Sequence, residues 1–257
     1  MTKDVLVVPD PHAHPDFNND RADWLGKFIL ERRPDVVVNM GDTFDMPSLS
    51  SYDKGKASFH GASYERDIES GVDFLDRMWH PIKKAKKKRP LSVFLEGNHE
   101  HRLSKVLEYD SHLAGDRFGV SYKNYQLADY HHEIVYYEGQ TPGIYTLEGI
   151  SFAHYFVSGL MGRPIGGEHH AASLIAKNHS SCVAAHSHTV DWACRSTTTS
   201  QTLMGLVAGV FQDYDAKWAG QCNGLWWSGL VYLRGVEQGS YDPEFISLKA
   251  LRREYAT

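Results

Sequence analysis

The residues of this sequence best suited to chemistry stand directly after short apolar runs. Val5–Val8 leads into Pro9-Asp10-Pro11-His12, Val36–Met40 into Gly41-Asp42, and Val93–Leu95 into Glu96-Gly97-Asn98-His99-Glu100. Ile150–Ala153 leads into His154, and Cys182–Ala185 into His186-Ser187-His188. Carboxylate, amide oxygen and imidazole together suit divalent transition ions such as Mn, Fe, Zn or Ni, with Mn favoured. Ca and Mg prefer all-oxygen shells. The seven candidates, Asp10, His12, Asp42, Asn98, His154, His186 and His188, are too many for one tetrahedral zinc. They are enough for two ions if one carboxylate bridges. Asp42, placed after a glycine at a strand end, is the natural bridge. Asp10 and His12 are two apart, as are His186 and His188, so extended backbone would turn each pair the same way.

Taken singly, each segment has an ordinary structural explanation. Asp-x-His and Gly-Asp occur in common turns, Asn98 could cap a helix, and His154 could be a hydrogen-bonded core histidine. The argument for metal rests on their joint occurrence, in this order, each after a buried-strand pattern. The chain carries 15 histidines, but only position makes some of them ligands.

The elements that must position these residues are legible in part. Val5–Val8 and Val36–Val38 are β-branched runs that read as strands buried on both faces, and Ser92–Leu95 is a third. Between them, Asn18–Arg33 carries Trp24, Leu25, Phe28 and Ile29 at helical spacing and ends at Pro34. Tyr64–Lys88 is a second helix, which Pro81 should kink or break. Strand, helix, strand, helix, strand argues for parallel strands whose C-terminal ends share one rim, where ligands bind.

The second half predicts short strands at Ile134–Tyr137, Ile144–Leu147, Ile150–Ala153 and Ser181–Ala185, with a helix over Gly167–Asn178. Later strands are expected at Leu203–Phe211, Leu230–Leu233 and Phe245–Leu248. The expectation is an α/β fold in which two sheets, the second more antiparallel, face each other with helices outside. No linker-like stretch interrupts the chain, so residues 1–257 read as a single domain. Segments 110–130 and 213–226 lack a clear period and stay unassigned, as lids or partner surfaces.

Composition sets further bounds. A net charge of -5 gives no global pull toward nucleic acid. Cys182, Cys194 and Cys222 form neither a disulfide framework nor a cysteine zinc site, which fits a reducing, cytoplasmic setting. No apolar run approaches membrane-spanning length, so no membrane partner is expected.

The set DPHAH, GDTFD, GNHE, a later histidine and AHSH resembles the calcineurin-like metallophosphoesterases, with their D-x-H, G-D-x-x-D, G-N-H-[DE], H and G-H-x-H motifs. Ala185 stands where that family usually has glycine. The resemblance implies a four-layer α-β-β-α sandwich of two mixed sheets flanked by helices. It implies one ion held by Asp10, His12, Asp42 and His188, and another by Asp42, Asn98, His154 and His186. His99 falls on the family's active-site histidine and is the expected general acid toward the leaving oxygen. Asp45 and Glu100 are expected to orient ligand histidines.

Asn98 could also donate to phosphate, and Arg102 and Arg163 are candidate phosphate contacts, although either arginine could equally be a surface residue. Lys83–Arg89 is a basic run that could touch nucleic acid but fits a solvated helix end better. His14, His60, His80, His101, His112 and His179, and the pairs His131-His132 and His169-His170, are expected at the surface or behind ligands. Trp226-Trp227 is read as core or sheet edge rather than a base-stacking platform. The expected activity is hydrolysis of a phosphate ester, most simply a phosphodiester of a nucleotide or nucleic acid. A phosphomonoesterase and a non-catalytic scaffold are the alternatives.

Overall fold

A computed structural model describes residues 2–115 and 119–256. Residues 116–118, within the first unassigned segment, lie outside the described residues.

β1 (Lys3–Val8), α1 (Asp20–Arg32), β2 (Val36–Asn39), α2 (Tyr64–Lys84) and β3 (Leu91–Leu95) form the expected crossover series. α3 (Arg102–Tyr109) and the single turn α4 (Leu127–Tyr130) follow, and then β4 (Glu133–Val135). β1, β2, β3 and β4 pair in parallel. The second half holds β5 (Tyr145–Leu147), β6 (Ile150–Phe152), the small pair β7 (Val157–Ser158) and β8 (Arg163–Pro164), α5 (His170–Asn178) and β9 (Ser181–Ala184). It continues with β10 (Val190–Ser196), β11 (Thr202–Ala208), β12 (Gly229–Glu237), β13 (Ser240–Ser247) and α6 (Leu248–Tyr255).

One sheet runs β13-β12-β1-β2-β3-β4 and the other β10-β11-β9-β6-β5. Both are mixed. β12 and β13 return antiparallel beside β1. In the second sheet β11, β9 and β6 are parallel, so its centre is less antiparallel than expected.

Alternation along the strands builds the layers. Leu6, Val8, Val37 and Phe94 face α1 and α2. Val5, Val7, Val36, Val38 and Val93 meet Ile150, Phe152, Val183 and Leu206 between the sheets. Cys182, Ala184 and Val207 pack under Leu174 of α5. The result is the expected α-β-β-α sandwich. Among the described residues no helix is long and apolar enough to cross a membrane.

Two sequence expectations meet physical corrections. Pro81 does not break α2, which runs through it to Lys84. It sits in the last turn, and a side chain on Gly26 of α1 would collide with its ring and with the Met78 carbonyl, so the glycine permits this close crossing. Lys83 and Lys84 fill the same turn, where cations complement the helix dipole. Of the histidines expected at the surface or behind ligands, His101, His131 and His170 are buried, and none of the three touches a candidate ligand side chain through a hydrogen bond among the described residues.

His131 lies tilted against Phe94 with its Nδ1 2.7 Å from the Ser92 hydroxyl. Burial, with Arg89 and His132 nearby, pushes its pKa from 6.5 to about 3. An unfolded chain protonates this ring below about 6.5, whereas the folded chain resists until about 3. Its stabilising contribution is therefore complete above 6.5 and lost as pH falls toward 3. Denaturant titrations at pH 7 and pH 5 should show wild type losing more stability between them than His131→Gln. Equal losses would remove His131 from the acid response.

Candidate metal centre

The strand ends deliver the donors to one rim, but not through extended backbone. Asp10, His12, Asp42, His186 and His188 all have left-handed φ values, 39°, 44°, 50°, 64° and 60°. Such positions cost non-glycine residues about 1–3 kcal/mol each and cluster at functional sites. The two-apart pairs converge because each chain kinks back on itself at these residues.

The kinks are stitched in place. His12 N–H donates to the Asp42 carbonyl (2.8 Å), Phe211 N–H to the Asp10 carbonyl (3.2 Å), and Trp227 N–H to the His188 carbonyl (3.0 Å). Ala185, in place of the family's glycine, is accommodated, since its N–H donates to the His154 carbonyl at 3.0 Å. Gly97 passes so close to Asp42 that any side chain there would overlap the carboxylate and the amide nitrogen.

Donor atoms fall into three overlapping groups, each within 4.8 Å: Asp10, His12 and His188; His12, Asp42 and His99; and Asp42, His154 and His186. His12 Nε2 faces His188 Nε2 at 3.1 Å. His154 donates its Nδ1–H to the Met40 carbonyl (2.9 Å), which turns Nε2 toward Asn98 Oδ1 (2.9 Å), His186 Nδ1 (3.2 Å) and Asp42 Oδ2 (3.3 Å). Acceptor-bearing groups thus crowd together, and the fully buried Asp10 Oδ1 accepts no hydrogen bond. Backbone N–H groups of His99 and His186 satisfy one oxygen each of Asp42 and Asp10, and the remaining crowd of carboxylate oxygens and imidazole nitrogens is an environment that cations resolve.

Charge in the pocket follows the same logic. Burial raises the Asp42 carboxyl, but His154, His99 and His12 outweigh it and hold it well below the usual range. Burial, reinforced by the charge of Asp42, raises Asp10 to about 7 although His154 pulls the other way. Burial opposes a charge on His154, yet Asp42 and Asp10 raise it to about 9. His186 is pushed down to about 3 by burial and by His154, and His188 well below its usual value by burial and by His12. Both stay neutral, the form a metal binds. The donor set and its orphaned oxygen fit divalent ions.

Supporting residues behave unequally. Asp45 accepts from His12 Nδ1 (3.0 Å) and faces His99 Nδ1 (2.9 Å), so it orients both rings as expected. Glu100 holds no histidine. Its carboxylate accepts the N–H groups of Asp42, Phe44 and Gly97 and so shapes the turn that carries Asp42.

Arg102 donates to the carbonyls of Asp45 (2.8 Å) and Met46 (3.1 Å) and to His99 Nε2 (2.9 Å). It lies beside the site with its guanidinium engaged. Arg163 is exposed on β8 and makes no hydrogen bond or ion pair with the site among the described residues.

Sequence reasoning missed Arg21. Fully buried on α1, it donates to the carbonyls of Pro11 (2.7 Å), His12 (3.3 Å), Phe211 (2.9 Å) and Asn18 (2.9 Å), and to Asp213 (3.1 Å). Its position was the signal: four and seven residues before Leu25 and Phe28, it lies on the apolar face of the helix, where a charge needs partners. Tyr214, also missed, donates to the His12 carbonyl at 2.9 Å.

No curated protein matches the chain in sequence. Among solved structures, the crystal structure of TT1561 of Thermus thermophilus is similar at 9% identity and a TM-score of 0.38, over 95% of this chain and 99% of that one. A second crystal structure is similar at 12% identity and a TM-score of 0.38, over 96% of this chain and 100% of that one. Neither likeness bears on the chemistry. The family model for calcineurin-like phosphoesterases matches residues 3–205. This match spans β1 to the middle of β11 and takes in every donor described above, and by it the chain belongs to the calcineurin-like phosphoesterases, metal-dependent hydrolases of phosphate esters.

Proposed function

We propose that the chain is a binuclear phosphodiesterase acting on a nucleotide or nucleic-acid ester, with Mn as the favoured ion. The observation that carries the binuclear reading is the overlap of the donor groups. His12 and Asp42 link the three into one row running from Asp10 and His188 to His154 and His186. One ion would be held by Asp10, His12, Asp42 and His188, and the other by Asp42, Asn98, His154 and His186. When bound, such a pair of ions supplies an acidified water and a clamp for phosphate oxygens.

The chain's own residues do the rest. Asp45 keeps the Nδ1 protons of His12 and His99 on its side, leaving His12 Nε2 to face the site. His99 Nε2 accepts from Arg102, so in this arrangement the leaving oxygen would meet a histidine–guanidinium pair rather than a lone imidazole. General-acid transfer from His99 therefore requires Nε2 to take up a proton. Arg102 spends Nη1 on two carbonyls and Nη2 on His99, so no histidine-free guanidinium face is dedicated to a second phosphate charge, which supports the diester reading.

Mn-loaded protein assayed on bis(p-nitrophenyl) phosphate and on p-nitrophenyl phosphate tests the reading. The diester should be turned over faster; a preference for the monoester would replace the proposal with the phosphomonoesterase alternative. In the same assay His99→Ala should retain metal and lose roughly 10²- to 10⁴-fold in turnover. Loss of metal from that variant would instead make His99 a ligand, and full activity would remove it from the reaction.

A further inference from the structure

We infer that Trp218 and Trp226 form a stacking subsite for a nucleobase carried by the substrate's ester. The inference rests on the phosphodiesterase reading and names the arm that substrate carries. Trp226 stands edge-on to His188 with ring centroids 4.3 Å apart and planes at 87°. Trp218 continues outward from it at 5.7 Å. Trp218 is 78% exposed, and Leu225, which precedes Trp226 in the chain, 71%.

The segment is tied down at several points. Asn223 ties it internally, its Oδ1 accepting from Ala216 N–H (3.0 Å) and its Nδ2 donating to the carbonyls of Ala216 (3.0 Å) and Gly220 (2.8 Å). A 3-10 turn over Gly220–Leu225 leads into Trp226. At one end Asp213 pairs with Arg21 and Tyr214 donates to the His12 carbonyl; at the other, Trp227 N–H donates to the His188 carbonyl. The loop is thus fastened at both ends to backbone that carries proposed ligands, and its middle holds a broad indole open to solvent.

An exposed tryptophan sacrifices burial it could have had, so a face held this way is matched to a planar partner. The planar group that accompanies phosphate esters is the nucleobase. Stacking tolerates any base, and it contributes about 1–3 kcal/mol, roughly 5- to 150-fold, per base. The subsite would take the base of the esterified nucleoside while its phosphate lies at the donor row. Trp226 itself is half-buried at the end of the 3-10 turn, and Trp227 packs against the core between the sheets.

The test compares two diesters with one leaving group, thymidine 5′-(p-nitrophenyl phosphate) and methyl p-nitrophenyl phosphate. Wild type should show a KM about tenfold or more lower for the nucleoside ester. Trp218→Ala should bring the two KM values together, Trp218→Phe should retain most of the difference, and Trp192→Ala, an exposed tryptophan on β10, should leave it intact. Equal KM values in wild type, or an undiminished difference in Trp218→Ala, would overturn the subsite while leaving the phosphodiesterase reading standing.

Failure to hydrolyse either ester would overturn that reading instead. Calorimetry of thymidine 5′-monophosphate binding would then still decide the subsite: weaker binding in Trp218→Ala than in wild type supports it, and equal binding overturns it. Single-stranded oligothymidylate, assayed alongside, separates the sources of the base. Its cleavage would identify a strand, and its survival a small nucleotide ester.

Discussion

Asp42→Asn is expected to abolish hydrolysis and to strip the site of metal together. The carboxylate is buried, accepts the His99 N–H at 2.8 Å and faces His154 Nε2 at 3.3 Å. It is also common to two of the three donor groups. Asparagine matches its size and can still accept from His99, so the fold should survive, but the shared negative charge is lost. Removing a residue that merely supports a ligand costs roughly 10- to 100-fold in metal affinity or activity, and loss of the bridge should exceed that. Metal analysis of the purified variant, read beside its turnover and its circular dichroism, checks all three. A folded variant with normal metal content would show that Asp42 is not the bridge.

The second large effect lies outside the ligand set. Arg21→Met is expected to cost about 3 kcal/mol or more of stability, because it leaves buried carbonyls without a donor at about 1–3 kcal/mol each, with little from the pairing to the exposed Asp213. Four carbonyls would lose their donor, two of them from the Pro11–His12 turn, and Asp213 would lose its cation. Asp10 and His12 hold left-handed backbone in that same turn, so metal affinity should fall with stability. Arg21→Lys should not rescue it, because one ammonium cannot reproduce the fork of donors. Denaturant midpoints and metal titrations measure both. A loss below about 1 kcal/mol, within the ordinary range for single substitutions, would mean that other contacts hold the turn.

What could be read from the amino acids follows from burial. β1, β2, β3 and β9 are short runs whose residues are almost all buried, and continuous apolar character marks them. β10 and β13 went unread, or partly so, because they are edge strands. β10 mixes Asp191, Trp192 and Arg195 on a half-solvated surface, and β13 carries Pro243, which an edge strand tolerates. The positions of the candidate ligands were legible because parallel strands end on one rim. The means by which they converge were not, since left-handed kinks at aspartate and histidine leave no periodic trace.

Arg21 and the three buried histidines share another cause. Each side chain is covered by a partner distant in sequence, Phe211 for Arg21, the Tyr137 ring for His101, Ser92 for His131 and Ser187 for His170, and no local pattern reports those partners. Arg102 shows the limit from the other side. Its place beside His99 was foreseeable from helical spacing, but its consumption by the carbonyls of Asp45 and Met46 was not.

The most direct test of the row of donors is the anomalous scattering of crystals grown with Mn²⁺. Two peaks about 3.5–4 Å apart, one on each side of the Asp42 carboxylate, are the expected result. A single peak, or peaks remote from Asp42, would contradict it.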